Sequence, residues 1–388
     1  MTSEERKEGR YQRRRAGREA KRRARSEACG SFEQVFSYEN LYKAGLACCK
    51  GVRWKCSTQR YLASLSENTA RTRKALMDGT WKTMGFHEFD IMERGKLRHI
   101  RSVHISERVV QRCLCDNALV PLFSSAFIYD NAASLKGKGI DFAMDRMNRH
   151  LQRHYRKHGM QGGILVFDFT DYFNSAPQEP IHRENRRRLY DERVRERAES
   201  FMADFGERGF GLGSQVSQID ALMLGNGLDH FIKEQLRIRG YGRYMDDGYV
   251  ISNSLEELED IKRNLYRPAE ALGIAMSDKK NIITPFRHHS FTFLKMRVTL
   301  TETGKVVMKL SRKSIRAMRR KMDIFRRWMD EGRMGPEDVF QSYQSWRAHA
   351  KRCNSYDTLR AMDERFTRMF AEELAGRRKP FPCTMKAT

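Results

Sequence analysis

The sequence predicts an α+β fold in which strands and helices come first and an all-helical unit comes last. The short apolar run Gly163–Phe169, which Gly162 precedes, is typical of a buried strand. It carries a carboxylate, Asp168, near its end. Tyr241–Ser252 is predicted to form two short strands joined by Asp-Asp-Gly, which is a hairpin signal. Helical periodicity then fills 311–370 in three segments, with breaks at 332–336 and 354–355. The order of these patterns predicts a mixed sheet-and-helix region followed by helices alone.

The remaining elements follow from the same periodicities, starting at the N-terminus. Residues 1–27 contain Arg and Lys eleven times and almost no large apolar side chain, so this segment cannot build a core. It is predicted to be a basic arm, mobile or helical, which either binds nucleic acid or is simply solvated. Further helices are predicted at 39–47, 61–77, 106–122 and 217–238, and further strands at 86–92 and 291–300.

Composition limits the class of protein. The chain has 388 residues, and its 74 Lys and Arg against 49 Asp and Glu give a formal net charge of +25. A hydrophobic content of 40%, including 22 Phe, 14 Tyr and 4 Trp, excludes a disordered chain. No run approaches the roughly 18 apolar residues of a membrane helix, and no secretory signal is visible, so we expect a cytoplasmic protein with no membrane partner. Because such a charge repels itself, it indicates a polyanionic partner, namely nucleic acid.

Cysteine and histidine spacings do not favour a metal site. The eight Cys include no C-x-x-C pair, so we expect reduced thiols in a cytosolic protein. His150, His154 and His158 recur at i, i+4 and i+8 and would stack on one helix face. Basic residues surround them, and the nearest acid, Asp145, precedes the first of them. This composition favours a solvated or phosphate-facing helix over a metal site.

Three acids stand at the ends of predicted strands: Asp168 in the first apolar run, and Asp246 and Asp247 in the predicted hairpin. A buried carboxylate is costly unless it is paired, hydrogen-bonded or bound to a cation. Acids that converge from two adjacent strands would repel one another, and divalent cations would remove that repulsion. A lone Asp-Asp-Gly is more often an ordinary turn, but together with Asp168 it indicates a two-metal site for phosphoryl transfer.

Seven short motifs resemble those of reverse transcriptases, and along the chain they follow one another in the order that the family shows. Tyr244-Met-Asp-Asp247 resembles the catalytic hairpin of that family, and Asp168 followed by Tyr172 and Phe173 resembles its first palm motif. The other five lie at 96–100, 107–111, 212–218, 272–281 and 293–297. The resemblance implies a right-hand polymerase with fingers and palm, built from antiparallel sheet plus helices, and a C-terminal all-helical thumb. The implied regions are a basic N-terminal arm at 1–30, a fingers-palm domain at 31–300, a helical thumb at 301–375 and a tail at 376–388.

The resemblance also implies a metal site. Asp168 and Asp246 correspond to the principal metal ligands, Asp247 to the third carboxylate, and the Phe169 carbonyl to an additional oxygen donor. Two Mg²⁺ ions suit such an all-oxygen set completed by substrate phosphates and water, with Mn²⁺ as a substitute.

Further roles follow from the same resemblance. Lys280, with Lys279 beside it, is the candidate catalytic group for protonating the leaving pyrophosphate. Lys96 and Arg98 are candidates for binding the triphosphate, where cations offset negative charge. Phe173 corresponds to the aromatic side chain that blocks a ribose 2′-hydroxyl, and this role is compatible with that of a core aromatic residue. A bulky ring at this position implies dNTPs as substrates.

The motif at 212–218 departs from most reverse transcriptases. Leu212 stands where Gln usually precedes the glycine, here Gly213, and Gln218 stands where the motif usually ends in proline. These three residues are expected to contact the incoming nucleotide. The pattern, like Leu228–Glu234 after it, resembles the reverse transcriptases of diversity-generating retroelements, in which it accompanies error-prone copying of template adenines. Loss of the Gln amide would remove hydrogen bonds beside the nucleotide and weaken discrimination.

The implied thumb begins with a basic helix. A cationic face of this kind would follow the backbone of a nucleic-acid duplex through phosphate contacts, although a solvated face is the simpler alternative. Its candidate nucleic-acid-binding residues are Arg312, Lys313, Arg316 and Arg320.

The resemblance implies an RNA-directed DNA polymerase whose partners are an RNA template, a DNA or RNA primer, dNTPs and, in the diversity-generating class, a small accessory protein. One alternative keeps the chemistry in an antiphage-defence or retron-like reverse transcriptase. Another is a non-catalytic RNA-binding or maturase-like protein, which would have no need of the buried acids. A third is an RNA-dependent RNA polymerase, which Phe173 disfavours.

Overall fold

The computed structural model describes residues 2–93, 96–211, 213–277 and 280–374, and excludes the side chains of 93, 96, 98 and 374. Helices and three antiparallel sheets alternate as far as residue 310, and helices alone follow. The predicted α+β fold with a helical end is therefore confirmed. Among the described residues, no helix has the length and apolar content that crossing a membrane requires.

The chain divides into two compact units. Unit 1 contains the chain up to Ala143 together with Phe167–Tyr249 and Asp260–Asn281. Unit 2 contains Met144–Val166, Val250–Glu259 and the chain from Ile282 onward. The functional regions drawn from the sequence stay a prediction.

Unit 1 begins with helices. Thr2 starts the first one, because its hydroxyl accepts a hydrogen bond from the Glu5 amide while the Glu5 carboxylate accepts one from the Thr2 amide. The predicted basic arm is thus helical in the structure. These helices are α1 (Ser3–Cys29), α2 (Phe32–Val35), α3 (Tyr38–Cys49), α4 (Cys56–Ala63) and α5 (Leu65–Met77).

A two-stranded ribbon and a buried helix follow in unit 1. Strands β1 (Phe86–Glu93) and β2 (Lys96–Val103) are antiparallel in the register Phe86↔Val103. The chain then forms α6 (Ile105–Leu114), continues through a π-helical turn at Cys115–Leu119 and ends in α7 (Val120–Phe123).

The four-stranded sheet has the order β4-β5-β3-β6. Its strands are β3 (Gly163–Asp168), β4 (Tyr241–Tyr244), β5 (Asp247–Ser252) and β6 (Ile282–Pro285). Unit 1 holds β4, the start of β5 and the end of β3, whereas unit 2 holds the other parts of β3 and β5 together with β6. Within unit 2, β3 and β6 pair in the antiparallel register Gly163↔Pro285.

The remaining helices before residue 282 are amphipathic or buried. Helix α12 is buried along most of its length, as expected of a helix at the centre of a unit. These helices are α8 (Ile140–His158), α9 (Tyr172–Ser175), α10 (Glu179–Arg188), α11 (Glu192–Ala203), α12 (Gln215–His230) and α13 (Leu255–Ala271).

Unit 2 ends in a three-stranded sheet followed by helices, and these helices share one apolar core. Met322, Phe325, Tyr343 and Phe366 are each at most 1% exposed and belong to this core. The three long helices match the predicted segments, with Pro336 at the start of the second one. The elements are β7 (Phe291–Phe293), β8 (Met296–Leu300), β9 (Val306–Leu310), α14 (Arg312–Asp330), α15 (Pro336–Ala350), α16 (Tyr356–Met369) and α17 (Ala371–Leu374).

Two strand predictions need correction. The first hairpin does not turn at Asp-Asp-Gly: Met245, with a φ of 54°, and Asp246 make the turn, and Asp247 already begins β5. The single strand predicted at 291–300 is two strands, because Leu294 and Lys295 both adopt positive φ and reverse the chain.

The solvated face predicted for the histidine helix is also wrong. His150 and His154 are buried, at 4% and 8% exposure. The His154 ring lies 5.0 Å from that of Phe286, and its Nε2 is 2.8 Å from the Gln161 carbonyl oxygen. Burial lowers the pKa of His154, which favours the neutral ring. These histidines therefore pack in the interior of unit 2.

Candidate active site

The three predicted acids meet where β3 ends and the β4–β5 hairpin turns, within unit 1. The Phe169 amide, one residue after Asp168, donates a hydrogen bond to the Asp246 carbonyl at 3.2 Å. Gly248 allows this approach, because a Cβ at its position would lie 2.2 Å from the buried Phe167 ring. The glycine of Asp-Asp-Gly is thus required by packing against β3 and not by the turn.

The acids create a strongly negative centre. Burial, followed by the neighbouring charges of Asp246 and Asp168, raises the pKa of Asp247 to about 7. Lys280 opposes this shift, and its Nζ lies 2.5 Å from Asp168 Oδ1. Asp168 is largely buried, whereas Lys280 is half exposed. The site therefore holds more carboxylate charge than Lys280 offsets.

Hydrogen bonds to its backbone amide and carbonyl hold Asp168 in place. Its amide donates to Asn281 Oδ1 at 3.1 Å, and its carbonyl accepts from the Ser277 amide at 3.0 Å. Asn281 is only 2% exposed, and its Nδ2 donates to the Tyr266 hydroxyl at 3.3 Å. Asn281 therefore fixes the strand end from which Asp168 projects.

A buried arginine supports the turn that carries Asp246. Arg243 donates from Nη1 to the Met245 carbonyl at 2.8 Å and from Nη2 to the Leu222 carbonyl at 3.0 Å. Its Nε and Nη2 also bond the two carboxylate oxygens of Asp229. Because these bonds hold a residue at positive φ, they position Asp246 through the backbone.

A cavity of about 740 Å³ opens beside the acids in unit 1. Phe173 is half-buried in its wall, and its ring packs edge-on against that of Tyr172 at 6.0 Å. Strand β2 forms another wall, with Leu97, His99 and Arg101 lining the cavity as alternate residues of one face.

The structure brings most predicted catalytic residues to this cavity. The residues that line it include Asp168, Phe169, Phe173, Asp246 and Lys280. Asp247 adjoins them at the start of β5 but does not line the cavity.

Gly213 and Gln218, which were predicted to bind the nucleotide, do not line this cavity. Gly213 has a φ of 120° and approaches the Arg101 carbonyl so closely that a Cβ would be 2.7 Å from that oxygen. Gln218 is exposed and accepts a hydrogen bond from the Ser134 hydroxyl at 2.5 Å, away from the cavity lining. Leu212, Lys279 and the side chains of Lys96 and Arg98 lie outside the described residues.

Two cations at the cavity were missed by sequence reasoning. Arg101 Nε is 2.9 Å from Glu88 Oε1, and its guanidinium lies 5.7 Å from the Phe86 ring centroid. Arg208 donates from both Nε and Nη2 to the Ser175 carbonyl, at 3.1 and 2.7 Å. Both line the cavity and place positive charge at its wall.

His99 completes the polar wall. Its Nδ1 lies 2.8 Å from Asp90 Oδ1 and its Nε2 lies 3.4 Å from Glu88 Oε2. The hydrogen bond with Asp90 raises the pKa of His99, and the Glu88 charge adds to the effect. These acids on β1 favour the charged ring.

The predicted nucleic-acid-binding face lies on α14 in unit 2. Met318 and Met322 bury the opposite side of this helix in the core. The predicted residues share high exposure, and within the described residues none of them has an ion-pair partner. They are Arg312, Lys313, Arg316 and Arg320.

The donor chemistry of the site fits magnesium. Asp168, Asp246 and Asp247 offer carboxylate oxygens, which are the ligands that Mg²⁺ prefers. Burial first, and then the charges of Asp246 and Asp168, raise the pKa of Asp247, and a divalent cation would offset both effects. Across the described residues, no three His, Cys, Asp or Glu side chains form a preassembled metal cluster, and Lys280 instead contacts Asp168.

Among known proteins, the chain is similar only distantly, and in structure, to the solved structures described next. No family model and no curated protein matches the chain. A telomerase from Candida albicans in complex with a TWJ fragment of telomeric RNA has 12% identity and a TM-score of 0.49, over 76% of this chain and 56% of that chain. An apo telomerase from Candida tropicalis truncated from the C-terminal domain has 13% identity and a TM-score of 0.42, over 58% and 55%. Another apo telomerase from Candida tropicalis has 12% identity and a TM-score of 0.45, over 63% and 52%, so the chain spans just over half the length of each of these structures.

Proposed function

We propose that this protein is an RNA-directed DNA polymerase that joins nucleotides by metal-assisted nucleotidyl transfer. One observation carries the proposal: Asp168 and Asp246 share a cavity with the cations Lys280, Arg101 and Arg208. Carboxylates for metal ions beside cations for phosphate are the parts that phosphoryl transfer requires. The motif order in the sequence supports the same chemistry.

Each group has a role that follows from its charge and position. Asp168, Asp246 and Asp247, with the Phe169 carbonyl, would hold the metal ions. Bound magnesium would supply Lewis-acid activation of the attacking hydroxyl and charge neutralisation at the triphosphate. Lys280 would donate a proton to the departing pyrophosphate once that pyrophosphate, and not Asp168, is its partner.

Phe173 supports deoxynucleotides as the substrates. Its half-buried ring lies in the cavity wall next to the acids. The 2′-hydroxyl of a ribonucleotide would clash with this ring, whereas a deoxyribonucleotide has no such hydroxyl.

The finer proposal is error-prone copying of the diversity-generating type. Its support is Leu212 at the position where an amide would contact the nucleotide. Sequencing of primer-extension products tests it, since the proposal expects errors concentrated at template adenines and fewer of them in Leu212→Gln. Equal error rates at all four template bases would contradict it.

The proposed partners are an RNA template, a primer, dNTPs and an accessory protein, in the cytoplasm. The exposed cations of α14 would follow the template–primer backbone. The seven cysteines in the described part of the chain are free thiols, which suits a reducing compartment.

Extension of a primer on an RNA template, with dNTPs or rNTPs, tests the catalytic proposal. The double variant Asp246→Asn/Asp247→Asn should lose at least about a thousandfold in rate. Asp357→Asn is the matched control. The Asp357 side chain is 90% exposed and lies far from Asp246 and Asp247 in the sequence, so this variant should keep the full rate. Extension that survives in the double variant would show that these acids are not the catalytic residues. RNA binding without extension by the wild type would support a non-catalytic RNA-binding protein, and a preference for rNTPs would support an RNA polymerase.

A further inference from the structure

A second, strongly basic groove runs between α1 and α10 in unit 1. Two adjoining cavities of about 610 and 550 Å³ form it, and both are lined by Arg18, Arg22, Arg183 and Arg187. None of the residues that line this groove lines the cavity at Asp168. The groove is therefore separate from the proposed active site.

Helix α1 presents its basic side chains to the groove by their spacing. Tyr11, Arg15, Arg18, Arg22 and Arg25 recur at intervals of three or four residues, so they share one helix face.

Tertiary contacts hold this helix in place. Its buried Ser26 accepts a hydrogen bond from the Tyr190 amide at 3.1 Å, and Arg25 donates to the Ser125 hydroxyl at 2.7 Å. The Arg23 guanidinium lies 5.2 Å from the Tyr190 ring centroid. The arm thus packs against the rest of unit 1, and its basic face meets that of α10.

The charges of the groove are not balanced within the protein. Five basic residues of α1 and four of α10 line it, with three glutamates, and Arg186 pairs with a further glutamate, Glu179, at 2.8 Å. Arg187 and Arg188 share one of these, Glu184, at 3.0 and 2.9 Å. In the described part of the chain, Arg18 and Arg183 have no carboxylate partner. Like charges at this spacing repel, and a bound polyanion would remove that cost.

Two further features indicate a single strand of RNA. Asn226 lines the groove at 7% exposure, and within the described residues its Oδ1 has no hydrogen-bond partner. This oxygen is itself buried, but the Asn226 amide belongs to the groove wall and can hydrogen-bond a ribose 2′-hydroxyl, which a deoxyribose lacks. Tyr11 is 52% exposed at one end, and Tyr190 lies beside it in the lining, where unpaired bases can stack.

We propose that the groove between α1 and α10 binds single-stranded RNA outside the catalytic cavity. Its phosphates contact the arginines of both helices, a ribose hydroxyl bonds Asn226, and bases stack on Tyr11 and Tyr190. Because the groove shares no residue with the catalytic cavity, this binding is independent of nucleotide addition.

The test is fluorescence anisotropy with a labelled single-stranded RNA of about 20 nucleotides, without dNTPs or divalent ions, at several salt concentrations. For Arg18→Ala/Arg183→Ala we expect affinity to fall at least tenfold near about 0.1 M salt, and the slope of log K against log salt to fall by about 1.4 for two lost phosphate contacts. Arg13→Ala/Arg53→Ala removes the same charge outside the groove and should stay within about twofold of the wild type.

Two further sets of variants identify the ligand and control for folding. Arg18→Lys/Arg183→Lys keeps both charges and should keep the salt slope, and circular dichroism should show all variants folded. Asn226→Ala should weaken RNA binding about threefold to tenfold and leave a DNA strand of the same sequence unaffected. Equal losses in the groove and control variants, or equal effects of Asn226→Ala on RNA and DNA, would overturn the proposal. Loss of polymerase activity alone would not affect it, because binding is measured without nucleotide addition.

Discussion

The Asp229 carboxylate accepts two hydrogen bonds from the Arg243 guanidinium, at 2.7 Å from Nε and 2.8 Å from Nη2, and neither side chain is exposed. Burial lowers the pKa of Arg243, but the Asp229 charge and its hydrogen bonds more than offset this, so the pKa is raised. Arg243 therefore stays charged. It connects α12 to the Met245 turn, and through that turn to Asp246.

Asp229→Ala should be strongly destabilising, because it leaves the Arg243 charge buried without a partner. We expect the free energy of unfolding to fall by about 3–5 kcal/mol. Urea unfolding followed by circular dichroism measures this change. Asp260→Ala removes an exposed carboxylate paired with Arg263 and should cost less than about 1 kcal/mol. A similar cost for both variants would show that the buried pair does not hold the turn.

Gly225→Ala should disturb the same arginine from the other side. A Cβ at Gly225 would lie 2.6 Å from Arg243 Cζ, and the guanidinium cannot move without losing its hydrogen bonds. We expect a loss of about 1–3 kcal/mol in unfolding free energy, together with lower polymerase activity.

Gly227→Ala is the matched control on the same helix. Its Cβ would meet only Leu272, at an ordinary 3.5 Å, so helix propensity should make it neutral or stabilising by up to about 1 kcal/mol. Gly225→Ala would contradict the steric explanation if it behaved like this control.

The convergence of the acids could be predicted from sequence, because strand ends and hairpins have recognisable local patterns. The phase of β2 could not be predicted. The segment Lys96–Arg101 carries cations at both even and odd positions, and only packing decides that Leu97, His99 and Arg101 line the cavity. Arg208 lies in a glycine-rich loop without periodicity, so no pattern indicated it.

The burial of the histidine helix has a signal in the sequence. Met147, His150, Leu151 and His154 recur at i, i+3, i+4 and i+7, which is the spacing of a buried stripe. The neighbouring arginines suggested a solvated helix. An amphipathic helix can carry basic residues on one face and bury histidines on the other, as α8 does.

Phe173→Ala should relax sugar discrimination if the proposed polymerase activity is correct. Removal of the ring opens space in the cavity wall, so the ratio of kcat/KM for dNTP over rNTP should fall about tenfold to a hundredfold. Single-nucleotide extension on an RNA template measures both values. Phe205→Ala removes another half-buried ring of the same cavity and should leave the ratio within about twofold. An unchanged ratio in Phe173→Ala would show that this ring is only a packing residue.

Asp220 should make stability depend on pH. It is 2% exposed within α12, and among the described residues its Oδ2 has no hydrogen-bond partner. Burial, followed by the nearby charge of Glu199, raises the pKa of Asp220 well above its usual value. Below the unfolded pKa of about 4, the carboxyl is neutral in both states and carries no penalty. As pH rises toward the folded pKa, only the unfolded state loses its proton, so the folded state loses stability.

Asp220→Asn should remove this dependence, because the amide stays neutral at every pH. From about pH 4 upward, the unfolding free energy of the variant relative to the wild type should rise by about 1.4 kcal/mol per pH unit, until the folded pKa is reached. Urea titrations at a series of pH values measure this difference, which cancels the titration of all other groups. Asp357→Asn, which replaces an exposed carboxylate, should show no such trend. A difference between Asp220→Asn and the wild type that stays constant with pH would mean that Asp220 ionises normally in the folded protein.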